Sequence, residues 1–303
     1  MRPRGADQTT PVAQELDDFD QPVLNVKFGL VDPRPRRLPA FALSPLLVGA
    51  KALRLREDGF SAVQSVEVPA EGVRKLAIRA DASGHVEVHE QLSGWLAVEW
   101  RDVKDQTDQS RLRQEFEQRS LGFFFPGAQL ESLDFKGFAE RGRGPVEVGY
   151  KFTAPRLLRD EGGGRVAIAP LFPSLLVRRY VVLPSRTRAL QLGTTPPSDL
   201  DATIALPRGA RAQTPPPADV KTRFGRFSQR ITLENGALHI VRHLEMPLQR
   251  VEPADYAAFI AFARAVDEAE EMRAVIQLHA RRSNGAAATQ AAARTQPKNT
   301  SMK

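Results

Sequence analysis

The chain has 303 residues, of which 42% are hydrophobic and 26% are charged, a composition typical of a folded globular protein rather than a disordered one. Its formal net charge is +7, but residues 281–303 hold five basic residues and no acid, so the rest of the chain carries only +2. No basic stripe with interleaved aromatic residues precedes that segment, which argues against a nucleic-acid-binding protein.

Neither the N-terminal residues nor the longest apolar run of the sequence has the pattern of an export or membrane signal. Residues 1–21 are polar, lack periodicity and contain no apolar segment, so we predict a flexible N-terminus without a secretory signal. The longest apolar run, at 166–183, contains two prolines and two arginines and falls short of the ~20 apolar residues that a spanning helix needs. We therefore predict a pair of core strands there and no transmembrane segment.

Short strands separated by Gly- and Pro-containing turns are predicted along most of the chain. The predicted strands between 22 and 60 precede a larger β-rich region at 61–279. A parallel sheet would need a helix between most of the strands. We therefore predict a mainly β (α+β) fold, an antiparallel β-sandwich with two or three packed helices. The predicted strands are 22–31, 52–55, 73–80, 85–90, 130–138, 146–152, 166–171, 177–183, 188–192 and 203–206.

Other segments deviate from this strand pattern. Apolar residues recur at helical spacing near 94–119 and 253–271, which predicts a helical region in each. The Gly-rich sequence at 161–165 lacks the flanking pattern of a phosphate-binding loop and predicts a turn. Residues 280–303 are low in complexity and predict a disordered tail.

The most informative local pattern is a hairpin centred on Asn235-Gly236, a pair suited to a type I′ turn. Folding about this turn sets Leu233 opposite Leu238, Ile231 opposite Ile240 and Phe227 opposite Leu244. A helix then begins near Pro253, with Tyr256, Phe259, Ala263 and Val266 at three- and four-residue spacing. Acids near its end oppose the helix dipole, a conflict that pairing with Arg264 or Arg273 would relieve.

The stretch "LHIVRHLEMPLQRVEPADYAAFIAFARAVDEAEEMRAVIQL", which contains this hairpin strand, helix and final strand, resembles the C-terminal β-rich region of bacterial transglutaminase-like proteins. These are large envelope proteins that carry a domain of unknown function upstream. A second stretch, "FDQPVLNVKFGLVDPRPRRLPAF", is similar to the end of the catalytic core of that family. The resemblance implies a periplasmic or envelope location, although the chain itself shows no signal peptide.

The family's chemistry requires a cysteine thiolate with a histidine base and an orienting aspartate. The resemblance places Gln21 at the histidine position and Asp32 at the aspartate position, so both are interpreted as vestigial triad positions. The chain contains no cysteine at all. The resemblance and the missing thiolate together imply a protein without this catalytic activity.

Two pairs of histidines have a spacing that would suit a metal on a helix, His85 with His89 and His239 with His243. Both pairs fall in predicted strands, where four residues separate two side chains by about 13 Å, too far for one ion. We therefore predict no metal site and no cofactor.

Carboxylates and aromatic residues offer weaker candidates for a site. Glu131, Asp134 and Glu147 contain the groups of a two-carboxylate hydrolase, but their spacing does not show that any two converge. The aromatic run 123–125 would serve as an exposed binding platform or, as we favour, as core packing at the end of the sandwich.

These observations favour a non-catalytic β-sandwich module of a transglutaminase-like envelope protein, acting in binding or structural support. The alternative is one piece of a split cysteine-type enzyme, whose nucleophile lies on a second, transglutaminase-like catalytic chain and whose aspartate is Asp32.

Overall fold

The computed structural model describes residues 72–138, 144–192, 195–247 and 249–278, together with the backbone of four short strands nearer the N-terminus. The predicted flexible N-terminus, the predicted tail after residue 280 and the two proposed triad positions, Gln21 and Asp32, lie outside the described residues. The predictions made for them therefore stay predictions.

The strands form short segments throughout the chain. They are β1 (Leu24–Val26), β2 (Gly29–Val31), β3 (Lys51–Arg56), β4 (Gly59–Ser65), β5 (Arg74–Asp81), β6 (His85–Leu92), β7 (Gln129–Lys136), β8 (Val146–Thr153), β9 (Leu158–Gly162), β10 (Arg165–Ile168), β11 (Leu190–Gln191), β12 (Ser198–Ala205), β13 (Arg211–Gln213), β14 (Ala218–Thr222), β15 (Gly225–Glu234), β16 (Ala237–Glu245), β17 (Arg250–Val251) and β18 (Val275–Gln277).

In the ranges that the structure describes, helices are fewer and occur in three places. They are α1 (Trp95–Gln106), α2 (Gln109–Glu115), which continues through a π-helical turn (Phe116–Leu121) into α3 (Gly122–Phe124), then α4 (Leu176–Tyr180) and α5 (Tyr256–Glu271), which follows a 3-10 turn (Pro253–Asp255). Among the described residues, no helix is long and apolar enough to cross a membrane.

A large mixed sheet organises the fold. Its eight strands lie in the order β14-β15-β16-β12-β5-β6-β8-β7, and neighbours are antiparallel except β12 and β5, which run parallel. A smaller sheet has the order β13-β18-β10-β9, and three further pairs, β1-β2, β3-β4 and β11-β17, stand alone. The predicted mainly β (α+β) class is confirmed, with one parallel pair that the expectation of an antiparallel fold did not include.

One face of the large sheet is packed and the other is open. Strand β5 shows the pattern, since Leu76 and Ile78 are buried while Lys75 and Arg79 on the opposite side are exposed. The packed face meets the helical segment 95–125 and the small sheet, which contributes Ile168 and Ile276 to the same hydrophobic cluster. This cluster, called here the main core, therefore occupies the space between the two sheets.

The hairpin at Asn235-Gly236 has the predicted turn and register. Both residues have positive φ, 51° and 76°, as a type I′ turn requires. Leu233 pairs with Leu238, Ile231 with Ile240 and Phe227 with Leu244, all as predicted. Phe227 and Leu244 belong to a second hydrophobic cluster, the helix core, which the buried face of α5 completes through the predicted residues Tyr256, Phe259, Ala263 and Val266.

Residues 177–183 were predicted to form a strand, and this prediction was wrong. Residues 176–180 form α4 instead, and the carboxylate of Asp267 stabilises its first turn by accepting hydrogen bonds from the backbone N–H groups of Leu176 and Val177 at 2.8 and 2.9 Å. The same contact gives a structural role to Asp267, which is one of the acidic residues near the end of α5 that oppose its dipole. A smaller difference lies at 22–31, where two paired strands replace the single strand predicted.

Candidate functional site

A groove of about 920 Å³ crosses the open face of the large sheet. Six neighbouring strands, from β16 to β7, contribute to it, and their outward side chains line it because residues on a strand alternate between the two faces. Its lining is rich in ionisable and hydrogen-bonding groups, among them Lys75, His89, Asp134, Glu147, Asp201 and His243.

The strand register defines the centre of this groove. Asp201 lies beside Ala77, Ala77 opposite His89, His89 opposite Gly149 and Gly149 opposite Asp134. This row crosses five strands and alternates polar side chains with residues that have almost no side chain. Ala77 and Gly149 therefore form low points in a surface that is otherwise covered by long polar groups.

Gly149 occupies the interior of β8 without a local reason for being glycine. Its φ is not among the positive values found in the chain, and an added Cβ would meet its nearest neighbours, Asp134 Cβ and His89 Nδ1, at an ordinary 3.9 Å. Glycine in a strand costs roughly 0.5–1 kcal/mol relative to alanine. Such a glycine often marks a place where a ligand or another backbone comes close, and here it leaves a notch bordered by a carboxylate and an imidazole.

Some charges of the groove are paired with one another. His243 Nδ1 lies 2.7 Å from Asp199 Oδ1, and Lys151 Nζ lies 3.2 Å from Glu87 Oε1. The hydrogen bond from Lys151 lowers the pKa of Glu87, so this carboxyl is ionised at neutral pH.

Other charges of the groove are unpaired. Within the part of the chain that the structure describes, the side chains of Lys75, Asp134, Glu147 and Asp201 have no hydrogen bond or ion pair to another residue. These groups are available to a ligand at no cost of breaking an existing contact.

The three carboxylates considered from the sequence are only partly brought together. Asp134 and Glu147 both line the groove, and Asp134 faces Gly149, which is two residues from Glu147 on the same strand. Glu131 lies elsewhere, accepting a hydrogen bond from Thr153 Oγ1 at 2.6 Å, which lowers its pKa. The sequence did not identify Gly149, although an isolated glycine within a strand pattern was an available signal.

The histidine pairs lie in strands, as predicted. His85 and His89 are on β6, and His239 and His243 are on β16. Among the described residues, no group of three or more His, Cys, Asp and Glu side chains is arranged to hold a metal ion. His89 and His243 instead line the groove, where they can donate or accept hydrogen bonds.

The aromatic run 123–125 divides between packing and exposure. Phe125 is buried and contacts Phe152 and Phe172, and the ring of Phe124 lies 5.4 Å from that of Phe172. Phe123 is 43% exposed. The preferred interpretation, core packing, therefore holds for the last two residues of the run.

A buried ionic cluster, invisible in the sequence, lies under the groove. Arg242 Nη1 pairs with Glu270 Oε1 at 3.1 Å, and Arg242 Nη2 donates to the carbonyls of Leu171 and Phe172. Glu270 also accepts hydrogen bonds from the backbone and hydroxyl of Ser174. Burial raises the pKa of Glu270 despite the opposing effect of Arg242, because desolvation outweighs the attraction between them.

Comparison with known proteins gives a partial match. No curated protein matches the chain. Among solved structures, a crystal structure from Parabacteroides distasonis, described as that of a candidate protease, matches with 18% identity and a TM-score of 0.29. That match covers 32% of this chain and only 19% of the other. Residues 166–276, from β10 to β18, match the family model of a domain of unknown function with a solved structure, DUF3858.

Proposed function

We propose that the chain is a non-catalytic β module that binds a polar ligand across the open face of its large sheet, within a transglutaminase-like envelope protein. The sequence supports the non-catalytic part, because a chain without cysteine cannot supply the thiolate on which that chemistry depends. The groove supports the binding part, because it spans six strands and offers unpaired charged side chains on four of them, β12, β5, β8 and β7.

The observation that carries this proposal is the notch at Gly149. Polar side chains occupy every neighbouring outward position on β6, β8 and β7, so hydrogen-bonding groups surround the notch on all sides. A ligand that reaches the backbone at Gly149 would meet donors and acceptors together, which favours a polar ligand over an apolar one. These positions are Glu87, His89, Gln91, Lys151, Glu147, Ser132, Asp134 and Lys136.

The experiment compares Gly149→Ala and Gly149→Leu with Ser228→Leu, which adds a similar side chain on an exposed position of β15 that does not line the groove. Without ligand, Gly149→Ala should raise the free energy of unfolding by roughly 0.5–1 kcal/mol, since it removes the conformational freedom of glycine from the unfolded chain. The measurement is denaturant unfolding.

Binding is measured by amide chemical shifts with a panel of charged hexapeptides and N-acetylhexosamine oligosaccharides. A probe that binds should shift the amides of His89, Asp134 and Gly149, and Gly149→Leu should abolish that response while Ser228→Leu retains it. Equal affinity for the wild type and Gly149→Leu would contradict the proposal, as would a panel with no binding member. Turnover of an amide or ester substrate that falls in Asp32→Ala would contradict its non-catalytic part.

A further inference from the structure

Two aliphatic side chains protrude from the segment that follows α4. Val182 is 76% exposed and Leu183 is 50% exposed, and Val182 is more exposed than any other large apolar side chain in the described part of the chain. The backbone beneath them is anchored, since Tyr256 Oη donates a hydrogen bond to the carbonyl of Leu183 at 2.8 Å. The tip of this segment, residues 181–189, is called here the Val182 loop.

The surroundings of the Val182 loop are basic. Four arginines lie between residues 176 and 190, whereas the sequence contains no Asp or Glu from 162 to 198. The guanidinium of Arg178 lies 4.6 Å from the ring centroid of Phe123, and that of Arg186 lies 5.6 Å from the ring centroid of Tyr256. Arg179 donates to the hydroxyl of Thr195.

None of these three arginines has a carboxylate partner among the described residues, so their charges are not neutralised. Nearby arginines differ, because Arg223 pairs with Asp255 and Arg250 pairs with Glu252. The strand pair β11-β17 brings the segment of Arg250 next to the end of the loop. The surface therefore combines a small apolar tip with an excess of positive charge.

Such a combination fits an anionic bilayer better than an acidic protein. A stable protein interface buries about 800 Å² on each partner around large anchoring side chains, and two aliphatic groups on a protruding loop do not provide that. A bilayer requires only shallow insertion of apolar groups, with cations held at the level of the lipid phosphates. Guanidinium groups also bind phosphate oxygens in bidentate geometry.

We propose that the Val182 loop docks the protein on an anionic membrane surface, with Val182 and Leu183 entering the interface and Arg178, Arg179 and Arg186 contacting lipid phosphates. This surface does not include the groove residues, so the inference does not depend on the ligand of the groove.

The test is sedimentation of the full chain with vesicles of phosphatidylcholine alone and of phosphatidylcholine with phosphatidylglycerol. Binding should require the anionic lipid and weaken with added salt. The double variant Val182→Ser, Leu183→Ser should bind about tenfold more weakly, because apolar burial is lost. Arg178→Gln and Arg186→Gln should each weaken binding about fivefold.

Matched controls separate this loop from other basic and apolar groups. Leu233→Ser removes an aliphatic side chain that is 40% exposed near the end of β15 and does not line the groove, and Arg230→Gln removes one exposed charge from the same strand. The basic residues after 280 are the same in every variant. Equal losses in the controls, no binding to anionic vesicles, or binding to poly-glutamate in place of vesicles would each overturn the proposal, provided that the variants keep the wild-type melting temperature.

Discussion

At the scale of single residues, the pair formed by Arg242 and Glu270 is costly to desolvate, and its hydrogen bonds hold a nearby backbone segment in place. Both side chains are almost fully buried, and desolvation shifts their pKa values toward the neutral forms. Their remaining hydrogen bonds hold the segment 171–174, where Phe172 has a φ of 43° that is unusual for a residue other than glycine. The pair therefore fixes a strained connection between the small sheet and α4.

Glu270→Ala should lower the free energy of unfolding by about 3–5 kcal/mol, because Arg242 would remain buried without its counter-charge. The backbone N–H of Ser174 would also lose its acceptor. Denaturant unfolding measures this loss. Glu271→Ala is the control, since Glu271 is exposed and, within the described ranges, forms an ion pair with Arg273 alone. A loss no larger than that of the control would contradict a structural role for the buried pair.

The pH dependence of stability should carry the signature of the same carboxyl. The folded-state pKa of Glu270 is raised above its ordinary 4.5, so the folded protein binds this proton more tightly than the unfolded chain does. The stabilisation that comes from this tighter proton binding is therefore fully present below pH 4.5, and it is lost as the pH rises through the raised pKa. The free energy of unfolding of the wild type minus that of Glu270→Gln should decrease over this range, and a difference that grows with pH would contradict the assignment.

At the scale of elements, a side chain distant in sequence caps α4. Asp267 lies 91 residues after Leu176 in sequence, and its carboxylate caps the first turn of α4. Asp267→Ala should lower the free energy of unfolding by about 1 kcal/mol, as expected for the loss of a helix cap. It should also speed hydrogen exchange at the amides of Arg179 and Val181, which donate to the carbonyls of Leu175 and Val177 respectively.

Glu268→Ala is the matched control for Asp267→Ala, because Glu268 is exposed on the same helix. Exchange rates in α4 that respond equally to both substitutions would show that general charge near α5, and not the cap, stabilises this helix.

Local signals made some elements predictable from the sequence. The hairpin at Asn235-Gly236 was predicted with its register because the turn chemistry and the flanking alternation lie within twenty residues. The helix α5 was predicted because its spacing repeats over four turns. In contrast, the apolar run 177–183 has the composition of a strand, and the tertiary contacts that favour a helix in its first part, among them the cap from Asp267, leave no local signal.

The groove escaped prediction for a related reason. Asp201 and His89 share one row only because β12 lies parallel to β5, a neighbour more than a hundred residues earlier in the chain. Asp134 and Glu147 were considered as carboxylates, but no pattern in a single sequence places Asp134 opposite Gly149, two residues from Glu147. Side chains brought together by strand order cannot be found from spacing along the chain.

At the scale of the whole molecule, the large sheet joins both hydrophobic clusters. Strands β15 and β16 supply Ile231 and Ile240 to the main core and Phe227 and Leu244 to the helix core. The segment that matches the family model, residues 166–276, covers only part of this sheet, because it includes β12 but not the neighbouring strand β5. The matched segment is therefore smaller than the unit that buries a complete core.

A fragment of residues 72–278 should unfold in a single cooperative transition, whereas a fragment of residues 166–276 should lack one. The shorter fragment exposes Leu200, Ala202 and Ile204 of β12, which the packed strands and helices of the first half otherwise cover. Thermal unfolding followed by circular dichroism, with dye binding to exposed apolar surface, measures the difference. A sharp transition in residues 166–276 would show that the helix core alone sustains a fold, and two separate transitions in residues 72–278 would show that the shared strands do not couple the two cores.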